Sequence, residues 1–127
     1  MAKTITQPTI LASVANTAGS TTDSPVIDCT AQDGGNVTLR ITNEGTGPTV
    51  QCVGQIMVAH KAGSVPASGA EGATWKKYAE FGGGVVASDI SRYNWRFGPE
   101  IAYYFIRFTG NTGQSVTVEA TGDLYAY

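Results

Sequence analysis

The chain has 127 residues, enough for one domain with a buried core and no need of covalent staples. Charged residues make up only 14%, against about 25% in an average domain, and the formal net charge is −2. That balance excludes the basic stripe with which a nucleic-acid binder neutralises phosphates, and equally a polybasic membrane-binding surface. The start, Met1–Thr6, has no apolar run of signal-peptide length, and no stretch reaches membrane-spanning length, so synthesis in the cytosol is expected. Sixteen glycines, with abundant Thr, Ser and Ala, suit a sheet protein with tight turns. The low charge fits either a surface covered by a partner or a plain neutral one.

Residues 2–8 read as an extended arm, with Ile5 between Thr4 and Thr6, then Gln7, and Pro8 breaking any ladder. Thr9–Ala15 is a first strand. The expected division is therefore an arm and first strand over residues 1–15 and a single sandwich domain over 16–127. Asn16–Pro25 is a loop by composition. Val26–Ala31 is a short strand with Ile27, Cys29 and Ala31 on one face. Gln32–Asn36 centres on Asp33-Gly34, a hairpin signal.

The stretch 37–61 sets the terms for the rest. Val37, Leu39 and Ile41 alternate with Thr38, Arg40 and Thr42, the period of two of a half-buried strand. Asn43–Pro48 is made of turn formers. Thr49–Lys61 alternates again, with Val50, Cys52, Ile56 and Val58 on one side. These two runs are expected to be neighbouring antiparallel strands. Ala62–Gly72 is a long loop of small residues, either a contact loop or a solvated connection.

Ala73–Phe81 is a strand with Trp75, Lys77, Ala79 and Phe81 on one face, ended by Gly82-Gly83-Gly84. Val85–Ile90 is a short strand or a single turn. Ser91–Phe97 puts Tyr93, Trp95 and Phe97 opposite Arg92, Asn94 and Arg96. Ile101–Thr109 has bulk on both faces, which marks a strand covered on both sides. Gly110–Gln114 is a hairpin loop. Ser115–Ala120 alternates cleanly, and Leu124–Tyr127 is an apolar tail. The sum is all-β: an antiparallel two-sheet sandwich, immunoglobulin-like or jelly-roll, of about eight strands.

No catalytic constellation is visible. His60 is the only histidine, no Gly-x-Ser-x-Gly motif accompanies it, and it has no second histidine for a metal site. The carboxylates Asp28, Asp33, Glu44, Asp89, Glu100 and Asp123 are scattered singly, without glycosidase or calcium-loop spacing. Neither an enzyme activity nor a cofactor is expected. Cys29 and Cys52 read as buried free thiols, with an inter-sheet bridge as the open alternative. The aromatic set Trp75, Tyr78, Tyr93, Trp95, Phe97, Tyr103 and Tyr104 either fills the core or, where a tryptophan faces water, stacks on a sugar. Lys76-Lys77, Arg92, Arg96 and Arg107 would be the polar contacts of such a surface, or a solvated charged face.

The block Gly98-Pro99-Glu100-Ile101-Ala102-Tyr103-Tyr104-Phe105-Ile106-Arg107-Phe108-Thr109-Gly110-Asn111-Thr112-Gly113-Gln114-Ser115-Val116-Thr117-Val118 resembles small β-sandwich virion proteins of tailed bacteriophages. The capsid decoration, or cement, proteins are the nearest group. The Thr-rich arm, low charge and aromatic tail are similar too. The resemblance implies a non-enzymatic protein of the virion, made in the host cytoplasm. It would oligomerise with itself, a trimer being favoured, and bridge subunits of the major capsid protein. No nucleic acid or membrane would be bound. The residues expected to meet partners are Lys3, Thr4, Ile5, Thr6, Gln7, Trp75, Arg92, Arg96, Tyr125 and Tyr127. A tail or head-fibre sandwich and a carbohydrate-binding module are the other readings.

Overall fold

The computed structural model of the chain describes residues 2–60 and 63–127; Met1, and Lys61 and Ala62 at the expected junction of strand and loop, lie outside the described residues. The strands in order are β1 (Thr4–Thr6), β2 (Leu11–Asn16), β3 (Thr22–Asp23), β4 (Ile27–Asp28), β5 (Gly34–Asn43), β6 (Val53–Ala59), β7 (Lys76–Gly82), β8 (Ile90–Phe97), β9 (Tyr103–Thr109) and β10 (Val116–Ala126). They form two five-stranded antiparallel sheets, with no helix among the described residues. The all-β sandwich expectation holds.

In sheet A, β1 and β2 lie end to end along one side of β10, and β5 and β8 follow on its other side. In sheet B, β3 and β4 lie end to end along β9, followed by β6 and β7. Each split pair is one strand interrupted by a proline, Pro8 in the first and Pro25 in the second, which cannot donate to a ladder. At the second break Ser24 takes over the pairing: its N–H donates to the Ile106 carbonyl at 2.8 Å, and the Ile106 N–H donates to its Oγ at 2.9 Å. With each split pair counted once, the order is four positions per sheet in jelly-roll sequence. An immunoglobulin sandwich would join its strands differently.

This topology overturns one pairing. The runs at 37–42 and 49–61 are not neighbours: β5 sits in sheet A and β6 in sheet B. The turn between them arches over the core, so their apolar faces oppose one another across it. Likewise Asp33-Gly34 and the 110–114 turn are crossovers between sheets, not hairpins. Local turn chemistry is the same in both cases, and only the long-range partner differs. Among the described residues the consecutive strands that do pair directly are β6 and β7.

The main core lies between the sheets. Val37, Leu39 and Ile41 of β5, Trp95 and Phe97 of β8, and Val116 and Val118 of β10 meet Ile56 of β6 and Tyr104, Ile106 and Phe108 of β9. A second, smaller cluster sits on the outer face of sheet B, where Met57, Ala59, Tyr103 and Phe105 are covered by Trp75. The two-sided bulk of β9 is thereby buried on both faces.

Candidate binding face

The outer face of sheet A is built in rows by the strand register. Asp123, Asn36 and Arg96 form one row across β10, β5 and β8. Thr121, Thr38 and Asn94 form the next, then Glu119, Arg40 and Arg92, then Thr117, Thr42 and Ile90. Alternation places these residues opposite the buried set, so the face is polar by construction. Several rows are hydrogen-bonded: Asn36 Nδ2 donates to Asp123 Oδ1 at 3.1 Å, Thr38 Oγ1 to Asn94 Oδ1 at 3.1 Å, and Arg40 Nη2 to Glu119 Oε2 at 3.2 Å. The short side chains of the middle rows leave a groove of about 640 Å³. Its floor includes Thr38, Asn94 and Thr121, and its wall is the chain from Gln7 to Ala12.

At the end of the face nearest the chain termini, the expected contact residues converge. β1 pairs with the end of β10, Ile5 opposite Tyr125. The Lys3 ammonium sits over the Tyr125 ring at 4.8 Å, and the Tyr125 and Tyr127 rings meet edge to face at 6.0 Å. Lys3, Arg96, Tyr125 and Tyr127 line one shallow depression of about 340 Å³. Gly34 lies under Tyr125, where a Cβ would come within 2.5 Å of the phenol oxygen, and has φ of 156°. Thr4, Ile5, Thr6 and Gln7 are all exposed. The arm, however, is the edge of its own sheet, paired along β10, and does not project away from it.

Arg92 and Arg96 are exposed on β8, and among the described residues neither has a carboxylate within ion-pair distance. Arg92 stands directly opposite Arg40, a like-charge cross-strand pair.

Trp75 is a correction. It is only 2% exposed, packs edge to face on Phe105 at 4.7 Å, and donates its Nε1–H to the Ala67 carbonyl at 2.8 Å. It is a lid on sheet B and cannot reach a partner. The expected parity over 75–81 fails because β7 carries a register shift beside Tyr78, which turns Trp75 to the outer side. Trp95, 5% exposed, is in the main core. With both tryptophans buried, the stacking platform that the sugar-binding reading requires is missing.

His60 shares a depression of about 290 Å³ with Thr30 and Glu100. No hydrogen bond joins the three among the described residues; Glu100 Oε1 instead accepts the Gly98 N–H at 3.2 Å, and Thr30 Oγ1 donates to Asp28. That is not the geometry of a triad. No group of three potential ligands is placed to hold a metal among the described residues. Cys29 and Cys52 are free and buried. Burial pushes the Cys29 thiol up to about 12, with the Asp28 charge adding to it, and the Cys52 thiol up to about 11 against a hydrogen bond from Thr109. Neither is a nucleophile at neutral pH.

No protein-family model and no curated protein matches the sequence. Solved structures match through the fold. A chain of infectious bursal disease virus, Gx strain, aligns over 97% of this chain with TM-score 0.52 and 11% identity; this chain spans only 31% of it. The VP2 subviral particle of the same virus gives 0.51 and 10%, with the same 97% and 31% coverage. A cleaved adhesin domain of Lys-gingipain from Porphyromonas gingivalis gives 0.55 and 8%, covering 88% of this chain and 73% of its own. The SPBc2 prophage-derived protein YomS gives 0.47 and 12%, covering 99% and 96%. At such identities the likeness is one of fold, a β-sandwich found in a virus and in an adhesin.

The groove residues Asn36, Thr38, Asn94, Glu119, Thr121 and Asp123 were not singled out from sequence. The signal was present for Thr38, Asn94 and Glu119, each on the polar side of an alternating run, whereas Asn36 falls in a turn by its sequence and Thr121 and Asp123 fall between the last run and the tail. Nothing in one run, however, says which other runs will stand beside it.

Proposed function

We propose that the chain is a non-enzymatic structural protein of a virus particle. Within that class it is a capsid decoration protein that joins neighbouring subunits of the major capsid protein, acting as a homo-oligomer, a trimer. The observation that carries this reading is the open face of sheet A, where Lys3, Ile5, Arg96, Tyr125 and Tyr127 gather beside a polar groove that no described residue covers. Aromatic rings and arginine beside exposed aliphatic groups are the composition of protein contact surfaces. The fold supports the setting, since the sandwich is shared with the VP2 subviral particle. A rigid body repeated by symmetry also gains avidity from contacts that are weak singly.

The test is co-sedimentation with shells assembled from the cognate major capsid protein without this chain. The chain is expected to pellet with the shells and to raise their resistance to heat. Tyr125→Ala with Tyr127→Ala should weaken that binding while circular dichroism stays native. Failure of the wild-type chain to pellet, with shells equally heat-sensitive in its presence, would sink the proposal.

A further inference from the structure

A jelly roll has four strand edges open to solvent, and here they differ. The β1/β2 edge is broken at Pro8 and shifts register against β10. The β3/β4 edge consists of two two-residue pieces either side of Pro25. The β7 edge carries a register shift, and its Lys77 is neutralised by Glu80 at 3.3 Å. Such interruptions keep an edge from templating another strand. The β8 edge has none of them. Its eight residues pair with β5 from Gly35↔Phe97 to Thr42↔Ile90 without a break, and among the described residues its other side has no strand partner.

The charges on this edge select what it can accept. Arg92 and Arg96 face outward, four residues apart, roughly 13 Å along an extended strand. Among the described residues neither has an ion-pair partner, and Arg40 beside Arg92 is already paired with Glu119. A second copy pairing antiparallel about Asn94 would set Arg92 against the partner's Arg96 and the reverse, so the edge rejects itself. An incoming strand with carboxylates at those two positions would neutralise both. On its inner side that strand would meet Tyr93 and the Tyr78 ring, which is 59% exposed and lies 5.5 Å from Trp95.

We propose that the free edge of β8 accepts an extended acidic segment of a partner protein by strand addition, with two carboxylates four residues apart seated on Arg92 and Arg96. The pattern it takes is acidic, apolar, small polar, apolar, acidic. Main-chain hydrogen bonds hold the segment, and the two arginines fix its register. The occupant assignment rests on the reading of this chain as a protein-contacting structural component.

The probe is a capped synthetic peptide, Thr-Glu-Val-Thr-Val-Glu-Thr, titrated into the full chain at low salt and followed by amide hydrogen exchange and calorimetry. Slowed exchange over residues 90–97 is expected. Affinity should fall at least tenfold for Arg92→Glu with Arg96→Glu, and should be largely kept by Arg92→Lys with Arg96→Lys. The same peptide with proline at the central threonine keeps its charge but should also bind at least tenfold more weakly. No binding, or equal binding of the proline peptide, overturns strand addition. Protection of β8 that grows with protein concentration in the absence of peptide makes a second copy the occupant and overturns it as well. The shell experiment separates the two readings. Wild-type co-sedimentation that survives the double glutamate variant removes only the β8 site. Absence of wild-type co-sedimentation removes the decoration reading, while the peptide result still decides the edge.

Discussion

On sheet B one end of the outer face is apolar, with Met57 and Ala59 of β6 and Tyr103 and Phe105 of β9, and the chain closes over it with Trp75, pinned through its indole N–H to Ala67; the other end carries Gln55 and Arg107. On sheet A the outward residues include Asn36, Thr38, Arg40, Asn94, Glu119, Thr121 and Asp123, and among the described residues nothing lies over them. Both faces come from the same alternation. The difference is that the patch on sheet B is apolar and is covered by the chain itself, whereas the face of sheet A is polar and can wait for a partner. A long loop is thus spent on sheet B, and contact chemistry is left on sheet A.

The largest test of this contrast is Trp75→Ala. Removing a fully buried indole leaves a cavity over Phe105 and strips the cover from Met57 and Tyr103. A loss of about 3–5 kcal/mol is expected by urea denaturation, with new binding of a hydrophobic dye. A loss below about 1 kcal/mol would mean that the lid is ornamental.

The buried thiols give a pH test of the core between the sheets. Cys29 and Cys52 hold their protons to about 12 and about 11, while in the unfolded chain they ionise near 9. The native state therefore binds more protons than the unfolded state above pH 9. Stability is full below that pH and falls on the way to 11, by roughly 1.4 kcal/mol per pH unit for each thiol. Burial raises the Tyr104 phenol as well, which adds to the fall. Denaturation under reductant at pH 8, 9 and 10 checks this; a flat profile would show the thiols to be solvated.

A smaller effect is expected at Asn43, which is buried at the end of β5. Its Nδ2 donates to the carbonyls of Gly83 and Gly84, both at 3.2 Å, and of Val86 at 2.9 Å, fixing the β7–β8 crossover. Asn43→Ala should cost about 1–3 kcal/mol by leaving those carbonyls poorly satisfied. It should also free the turn that presents Val85 and Val86, seen as faster amide exchange there.

Smallest is Arg92→Glu on the open face. It relieves the Arg40–Arg92 repulsion and should leave stability unchanged or raise it by a few tenths of a kcal/mol, up to about 1. A marked loss would mean that Arg92 serves the fold and not a partner.

Most strands were legible because their periodicity is local. Val37–Thr42, Ser91–Phe97 and Ser115–Ala120 each declare one buried face, and all three are strands with that face inward. What failed needed non-local knowledge. Alternation gives each run a face but not a neighbour, so β5 and β6 looked like partners when they are in opposite sheets. The bulge beside Tyr78 is invisible to a strict period, which sets Trp75 on one face with Ala79 and Phe81, and no local pattern announces the sheet B cluster that buries its ring. The alternating run ended at Ala120 by its pattern, with Leu124–Tyr127 as a separate tail, yet both belong to one strand that passes through Gly122. Glycine is there because Asn36 O would lie 2.2 Å from a Cβ, and the strand runs on to Ala126. Of the contact residues, Lys3, Arg96, Tyr125 and Tyr127 were named separately from exposed or terminal positions, and the register of β1, β5, β8 and β10 is what brings them to one place.

The decisive measurement is amide hydrogen exchange of the chain bound to cognate shells against the free chain. Slowed exchange is expected over residues 3–7, 90–97 and 117–126, with β7 and residues 63–75 unchanged. Protection confined to β7 and the Trp75 loop, or equal exchange everywhere, would contradict this expectation.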